Sequence, residues 1–154
     1  MMLSKKSTYG LRALMNLARN LERGQVLISE LAQEERIPKK FLEAILLALK
    51  NGGILASRIG KGGGYSLSVS PRTLTIGRIV KILEGDLAPV SCLSGVTPAK
   101  CDECDDLASC GIRLVMADVQ RAMNSVLDTV TLAEMVERSE AARLAERELF
   151  DYSI

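Results

Sequence analysis

Apolar residues recur at helical spacing through most of this chain, and glycine or proline marks the gaps between the runs. Leu11, Leu14, Ala18 and Leu21 follow the helical period, with Arg12, Asn16, Arg19 and Arg23 opposite and Gly24 as a stop signal. LISELAQEERI predicts a short second helix with Ser29 as N-cap and Leu31 and Ala32 turned inward. In IPKKFLEAILLALKNGG the apolar face is Phe41, Leu42, Ile45, Leu46 and Leu49; Pro38 suits the first turn, and Asn51-Gly52-Gly53 ends the helix. Two short helices about a turn apart, the second opening with Pro-Lys-Lys, read as helix-turn-helix.

The period then changes. In ILASRIGKGGGYSLSV, Tyr65, Leu67 and Val69 alternate with Ser66 and Ser68, as in a half-buried strand. Two strands around a glycine-rich tip, directly after a helix-turn-helix, form a wing, with Arg58 and Lys61 at or beside its tip. LTIGRIVKILEGD returns to helix, capped by Thr75, with Ile76, Ile79, Val80 and Leu83 apolar. A loop marked by Gly95 and Pro98 follows. From Ile112 to about Asp128 another helix carries the stripe Val115, Val119, Ala122, Met123 and Val126, and Thr131 with Glu134 forms a capping box for a further helical stretch. The charged last dozen or so residues are expected to fray.

The expected fold is mainly α with a small β wing. A winged helix-turn-helix domain spans residues 1–85, a loop 86–111, and a long dimerisation helix with a C-terminal tail 112–154. A stripe so far along the chain from a small winged domain suits pairing with a second copy, which lets two recognition helices engage two half-sites.

Composition sharpens this reading. The chain is 47% hydrophobic but only 3% aromatic and has no Trp, so its core is built from Leu, Ile, Val, Ala and Met. No run approaches the roughly 20 apolar residues of a membrane span, and nothing near the start resembles a signal peptide. A cytoplasmic protein with reduced thiols is expected. The net charge of +1 hides an asymmetry: residues 1–72 hold 12 basic and 5 acidic residues, a charge of +7, and residues 73–154 hold 8 and 14, a charge of −6. A basic half suits a polyanion.

The candidate DNA-binding residues are Pro38, Lys39, Lys40, Phe41, Glu43, Lys50, Arg58, Lys61, Gly62 and Gly63. Lys39 and Lys40 open the recognition helix and Lys50 lies at its far end, offering salt-dependent phosphate attraction. Glu43 either accepts from cytosine N4 or faces solvent. Phe41 is expected in the core rather than stacked on a base. GKGGGY lacks the Gly-Lys-Ser/Thr ending of a phosphate-binding loop and leads into a strand, so its glycines read as a tight wing tip that approaches DNA closely.

All four cysteines, Cys92, Cys101, Cys104 and Cys110, fall in the 86–111 loop. In a reducing compartment such clustering points to metal or redox chemistry, and the loop reads as a sensor. Four thiolates complete a 4Fe–4S or 2Fe–2S cluster or a tetrahedral zinc site, and Cys101-x2-Cys104 suits each; zinc knots usually carry two such pairs. The neighbouring acids Asp102, Glu103, Asp105 and Asp106 either keep the loop soluble or oppose adding an electron, which predicts a low reduction potential. An enzymatic redox dithiol would need a βαβ context and a nearby base, and neither is present.

The segments MLSKKSTYGLRALMNLA, ISELAQEERIPKKFLEAILLALKNGGILASRIGKGGGYSL and TIGRIVKILEGD resemble, in order and spacing, the IscR/NsrR/CymR family of bacterial winged-helix regulators. The resemblance covers roughly residues 1–136, and GGGY, FLE and TLAEM are its most specific pieces. It implies a homodimeric transcription factor, not an enzyme, that binds a double-stranded operator, is expected to repress, and crosses long dimerisation helices. It also implies, in many members, an iron–sulfur cluster in the cysteine loop, whose binding or loss changes operator affinity. Zinc binding or metal-free thiol sensing on the same fold, or action through a docked metabolic enzyme, are the alternatives.

Two departures stand out. Ile59-Gly60 occupies the place where the family often has Arg-Gly, which bears on the operator sequence. The family commonly shows three cysteines, the last two five residues apart as Cys104 and Cys110 are. Cys92 then fits the first position, and either Cys101 or Cys104 is the additional thiol. The histidine that IscR-like members place after the third cysteine is absent; Gly111, Ile112 and Arg113 follow Cys110, and the chain has no His. SKKSTYG also lacks the N-terminal acid that some NsrR-like members lend to the partner subunit. The simplest completion is four cysteines from one subunit.

Overall fold

The structure is a computed structural model that describes residues 3–95, 99–102, 104 and 106–151. Helix α1 (Lys5–Arg19) starts where the Ser4 hydroxyl accepts from the Ser7 N–H at 3.2 Å, and it buries Leu11, Leu14 and Leu17. Leu21, expected on this apolar face, lies instead in a short 3-10 turn and is exposed. Helix α2 (Ile28–Glu35) has Leu27, not Ser29, at its N-cap position. The reason lies just upstream: Val26 exchanges two backbone hydrogen bonds with Tyr65, at 2.9 and 2.8 Å, and the chain turns into helix directly from that bridge.

Arg36 ends α2 in the left-handed conformation, with φ 53°, and returns its N–H to the carbonyls of Ala32 and Gln33. Ile37 is buried, and Pro38 occupies the N-cap position of α3 (Lys39–Asn51). Leu42, Ile45, Leu46 and Leu49 are fully buried at the centre of the core. Phe41 is not: it is 40% exposed, at the edge of the apolar stripe, with its ring edge-on to Tyr9 at 5.7 Å. The core expectation for Phe41 is therefore corrected.

Strands β1 (Leu55–Arg58) and β2 (Gly64–Leu67) pair antiparallel from Leu55 opposite Leu67 to Arg58 opposite Gly64. Val69, expected in the second strand, lies beyond its end and packs half-buried on the core. Gly64 sits at φ 141°, and a Cβ there would overlap the Val26 carbonyl oxygen. Only glycine lets the wing dock so close to the segment before α2.

Helix α4 (Ile76–Glu84) begins as expected at Thr75, whose hydroxyl accepts from the Arg78 N–H at 3.3 Å. It buries Ile76, Ile79, Val80 and Leu83 against the same core. Helices α5 (Gly111–Leu127) and α6 (Leu132–Asp151) follow the loop, and the turn joining them is sewn onto the start of α4. Ile76 N–H donates to the Val130 carbonyl at 2.9 Å and Leu132 N–H to the Leu74 carbonyl at 2.8 Å. Leu132 is fully buried among the winged-domain residues, so packing crosses the sequence division at residue 112.

The capping box at Thr131 forms, with Glu134 N–H donating to its hydroxyl at 3.2 Å. Helix α6 then runs along α1, where Arg19 reaches Glu140 and Ser139, each at 3.3 Å. It continues to Asp151, a length its Glu, Ala, Arg and Leu content favours. No residue of α5 is buried. Pro98, Glu103, Asp105 and the last three residues of the tail lie outside the described residues.

Candidate nucleic-acid interface and cysteine loop

Helix α3 buries one face and leaves the other open. Lys39, Lys40, Glu43, Ala44, Leu47 and Lys50 are all exposed, at the spacing that puts them on one side of a helix. Ala44 and Leu47 were not among the residues singled out from the sequence. The signal was there: positions 40, 43, 44 and 47 lie opposite 42, 45, 46 and 49.

The far end of α3 is tied to the wing. Lys50 Nζ donates to Ser57 Oγ at 2.6 Å, and the Val26–Tyr65 bridge anchors the second strand from the other side. Arg58 and Lys61 are exposed at the tip, as is Gly62, while Gly63 is buried. A Cβ on Gly63 would overlap the Arg58 carbonyl oxygen, so this glycine shapes the turn from inside.

A polar clamp sets the angle between α1 and α2. Arg12 pairs with the Glu35 carboxylate at 3.3 Å, and Asn16, only 7% exposed, donates to Glu34 at 2.8 Å and to Glu35 at 3.0 Å. Arg12 also lies over the Tyr9 ring at 5.7 Å. Helix α3 inherits this placement through its packing on both helices.

Cys92 lies in a short turn (Ser91–Leu93) that packs against α5. Cys101 and Cys104 share a tight turn, with Cys104 N–H donating to the Cys101 carbonyl at 3.0 Å. Asp106 folds the next residues by accepting from the N–H groups of Ala108 and Ser109 at 3.1 and 3.0 Å. Those bonds, Ala108 first, hold its carboxyl below the usual range. Cys110 takes the N-cap position of α5. Cys101 is exposed and the other three thiols are half-buried, all four free.

The profile of the Rrf2 family, described as iron-dependent transcriptional regulators, matches residues 3–138. The chain belongs to the Rrf2 family. It is 40% identical over 149 residues to an Rrf2-like HTH-type transcriptional regulator of Rhodobacter capsulatus, covering 94% of this chain and 99% of that one. Among solved structures, CymR, the global cysteine regulator of B. subtilis, superposes with a TM-score of 0.74 at 28% identity, over 90% of this chain and 98% of its own. T. potens IscR gives 0.73 at 28% identity, over 92% and 90%. The protein is an Rrf2-family transcriptional regulator that binds DNA and is not an enzyme. Among the described residues no helix is long and apolar enough to cross a membrane.

Whether this Rrf2 chain suits a metal centre is a question for its donors. Burial first, then the neighbouring Cys101 and Cys110, push the Cys104 thiol up. Arg113 Nε, in the first turn of α5, is buried with no acceptor among the described residues, which suits an anionic group nearby. Thiolates are the donors that iron–sulfur clusters and zinc take, so the residue types fit. Among the described residues, however, no three Cys, Asp or Glu side chains are already gathered closely enough to hold a metal ion.

Proposed function

We propose that this regulator is a cytoplasmic homodimer whose operator affinity is controlled by an iron–sulfur cluster, 4Fe–4S or 2Fe–2S, held by Cys92, Cys101, Cys104 and Cys110 of one subunit. The observation that carries the reading is the position of α5. Cys110 occupies the N-cap position at one end of it, and the turn that follows its other end is hydrogen-bonded onto the start of α4, which packs on α3. The loop therefore pulls on a lever whose far end touches the helix behind the DNA-reading face.

The exposed stripe of α5, with Val115, Val119 and Val126 at 57, 41 and 58%, is the surface a second subunit would cover. Two recognition helices would then lie at a spacing set by how the α5 helices cross, and a shift of that crossing changes operator affinity. When bound, the cluster supplies a thiolate-anchored centre sensitive to oxidants and small ligands. Gathering the four thiols draws Cys92, Cys101 and Cys104 to Cys110 and fixes the α5 N-terminus, where a helix favours an anionic ligand. On the DNA side, Pro38 positions the start of α3 and Phe41 braces it against Tyr9. Lys39, Lys40, Lys50, Arg58 and Lys61 meet phosphates, Glu43 and Leu47 face bases, and Gly62 and Gly63 let the wing come close.

A second reading has its own support. The thiols are free and not pre-gathered, which suits zinc binding or metal-free thiol sensing on the same lever. Anaerobic purification followed by iron, sulfide and zinc analysis separates the two. Iron with matching sulfide, lost together with the visible chromophore in Cys104→Ala, is the expected result. That substitution should also change operator affinity; an unchanged Kd between loaded protein and variant removes the switch. Zinc without sulfide, or no metal at all, selects the second reading.

A further inference from the structure

Ile59 is 97% exposed, while the next most exposed large apolar residues, Ile112 and Leu149 on α5 and α6, are each 70% exposed. A β-branched aliphatic at a hairpin tip finds nothing of its own chain to pack on, and the turn itself would be served by Ser, Asn or Asp. Its surroundings give it a direction. Gly60 and Gly62 adopt φ 99° and 75°, and Gly63 N–H donates to the Gly60 carbonyl at 3.0 Å, closing a tight turn. Arg58 is held opposite Gly64 in the strand pair. Ile59 thus projects from an ordered tip, between two exposed cations, Arg58 and Lys61.

The wing is also fixed relative to α3 through Lys50–Ser57 and Val26–Tyr65. With α3 in a major groove, this tip reaches the adjacent backbone and minor groove. Arg58 and Lys61 would meet phosphates there. Ile59 has no donor and no charge, so it contributes neither phosphate attraction nor hydrogen-bonded readout. What it offers is shape. The floor of the minor groove is open at A·T pairs, whereas a G·C pair projects the guanine 2-amino group into it. An aliphatic side chain set there meets that group as an obstruction and leaves its donor buried and unpaired.

We propose that Ile59 is a specificity-determining DNA contact, seated in the minor groove beside each half-site, which selects A·T over G·C by excluding the guanine 2-amino group. The inference rests on DNA binding by the winged unit and is independent of what the cysteines hold. In the test, full-length protein selects an operator from a random-sequence library, and footprinting locates the pairs under the wing. Those pairs are then made A·T, G·C or inosine·C; inosine keeps guanine's major-groove face but lacks its 2-amino group.

Wild-type protein should bind A·T about five- to fiftyfold more tightly than G·C, and inosine·C should restore the A·T affinity. Ile59→Ser should lose the discrimination and weaken the A·T complex, with an unchanged salt dependence, whereas Lys61→Ala should lower the salt slope by about 1. Ile59→Leu should keep the discrimination, and matched melting curves show that both variants fold. A G·C penalty that inosine does not relieve, or discrimination that survives in Ile59→Ser, overturns the proposal. If wild-type protein enriches no sequence, the DNA-reading premise falls with it; with an operator in hand, failure of the discrimination sinks Ile59 alone.

Discussion

Helices α4 and α5 are separated only by the cysteine loop, and both carry an apolar stripe, yet their fates differ. In nine residues α4 buries Ile76, Gly77, Ile79, Val80 and Leu83. In seventeen, α5 buries none, and Ile112, Leu114, Val115, Val119 and Val126 stay 41–70% exposed. The first stripe is satisfied by its own chain. The second is left outside, because α5 turns a different face, Met116, Ala117, Gln120, Met123, Asn124 and Leu127, half-buried toward its own chain. Amphipathic spacing alone says that a helix has something to bury, and not what will cover it.

Substitutions should respond to that contrast unequally. The largest loss is expected in the shared core: Leu46→Ala, at a fully buried position, should cost about 2–5 kcal/mol in urea unfolding. Leu132→Ala should cost a similar amount, although it lies beyond α5 in the chain; a loss under about 0.5 kcal/mol would detach α6 from the core. Val119→Asp should leave the winged unit folded but shift the protein to monomer in sedimentation equilibrium. A variant that still sediments as a dimer breaks the assignment of the α5 face.

The junction is the next step down. A Cβ on Gly77 would meet the Leu127 carbonyl oxygen at 2.9 Å and press on Asp128, which Lys81 holds at 3.1 Å. Gly77→Ala should therefore cost about 1–3 kcal/mol and, if α5 is a lever on α4, change operator affinity as well.

The smallest effect expected is that of acid. The Ser4 hydroxyl first, helped by the Ser4 N–H at 2.7 Å, holds the Glu84 carboxyl below its ordinary value, and loop N–H groups do the same for Asp106. A lowered folded-state pKa means stability that is present above the ordinary carboxylate pKa and is lost as pH falls through the lowered one. The melting temperature should thus hold down to about pH 5 and decline below about pH 4. Glu84→Gln should make that decline shallower.

Much of the architecture is legible in the sequence. The Thr75 and Thr131 caps, the α3 boundaries and the glycine-rich tip are local signals, each decided by neighbours within a few residues. Ser29 failed as a cap because a bridge to Tyr65, far along the chain, set where α2 begins. Phe41 was misplaced because the edge of a stripe is where periodicity cannot separate core from surface. Ala44 and Leu47 carry no charge to mark them, although an exposed apolar residue on a reading helix follows from the same period.

The cysteines divide in the same way. Their number, their spacing and the chemistry of thiolates stand in the chain itself, together with the basic and acidic halves and the helical and strand periods. Those properties are covalent or short-range, so they survive without a fold. Which stripe would be inside, how far one end of α5 is tied to α4, and which face of α3 stays open depend on contacts between residues remote in sequence. Burial is non-directional, and a stripe takes whatever surface the folded chain brings to it. Here the pairing of Thr75 with Thr131 brings Leu132 to the core and leaves the α5 stripe outside.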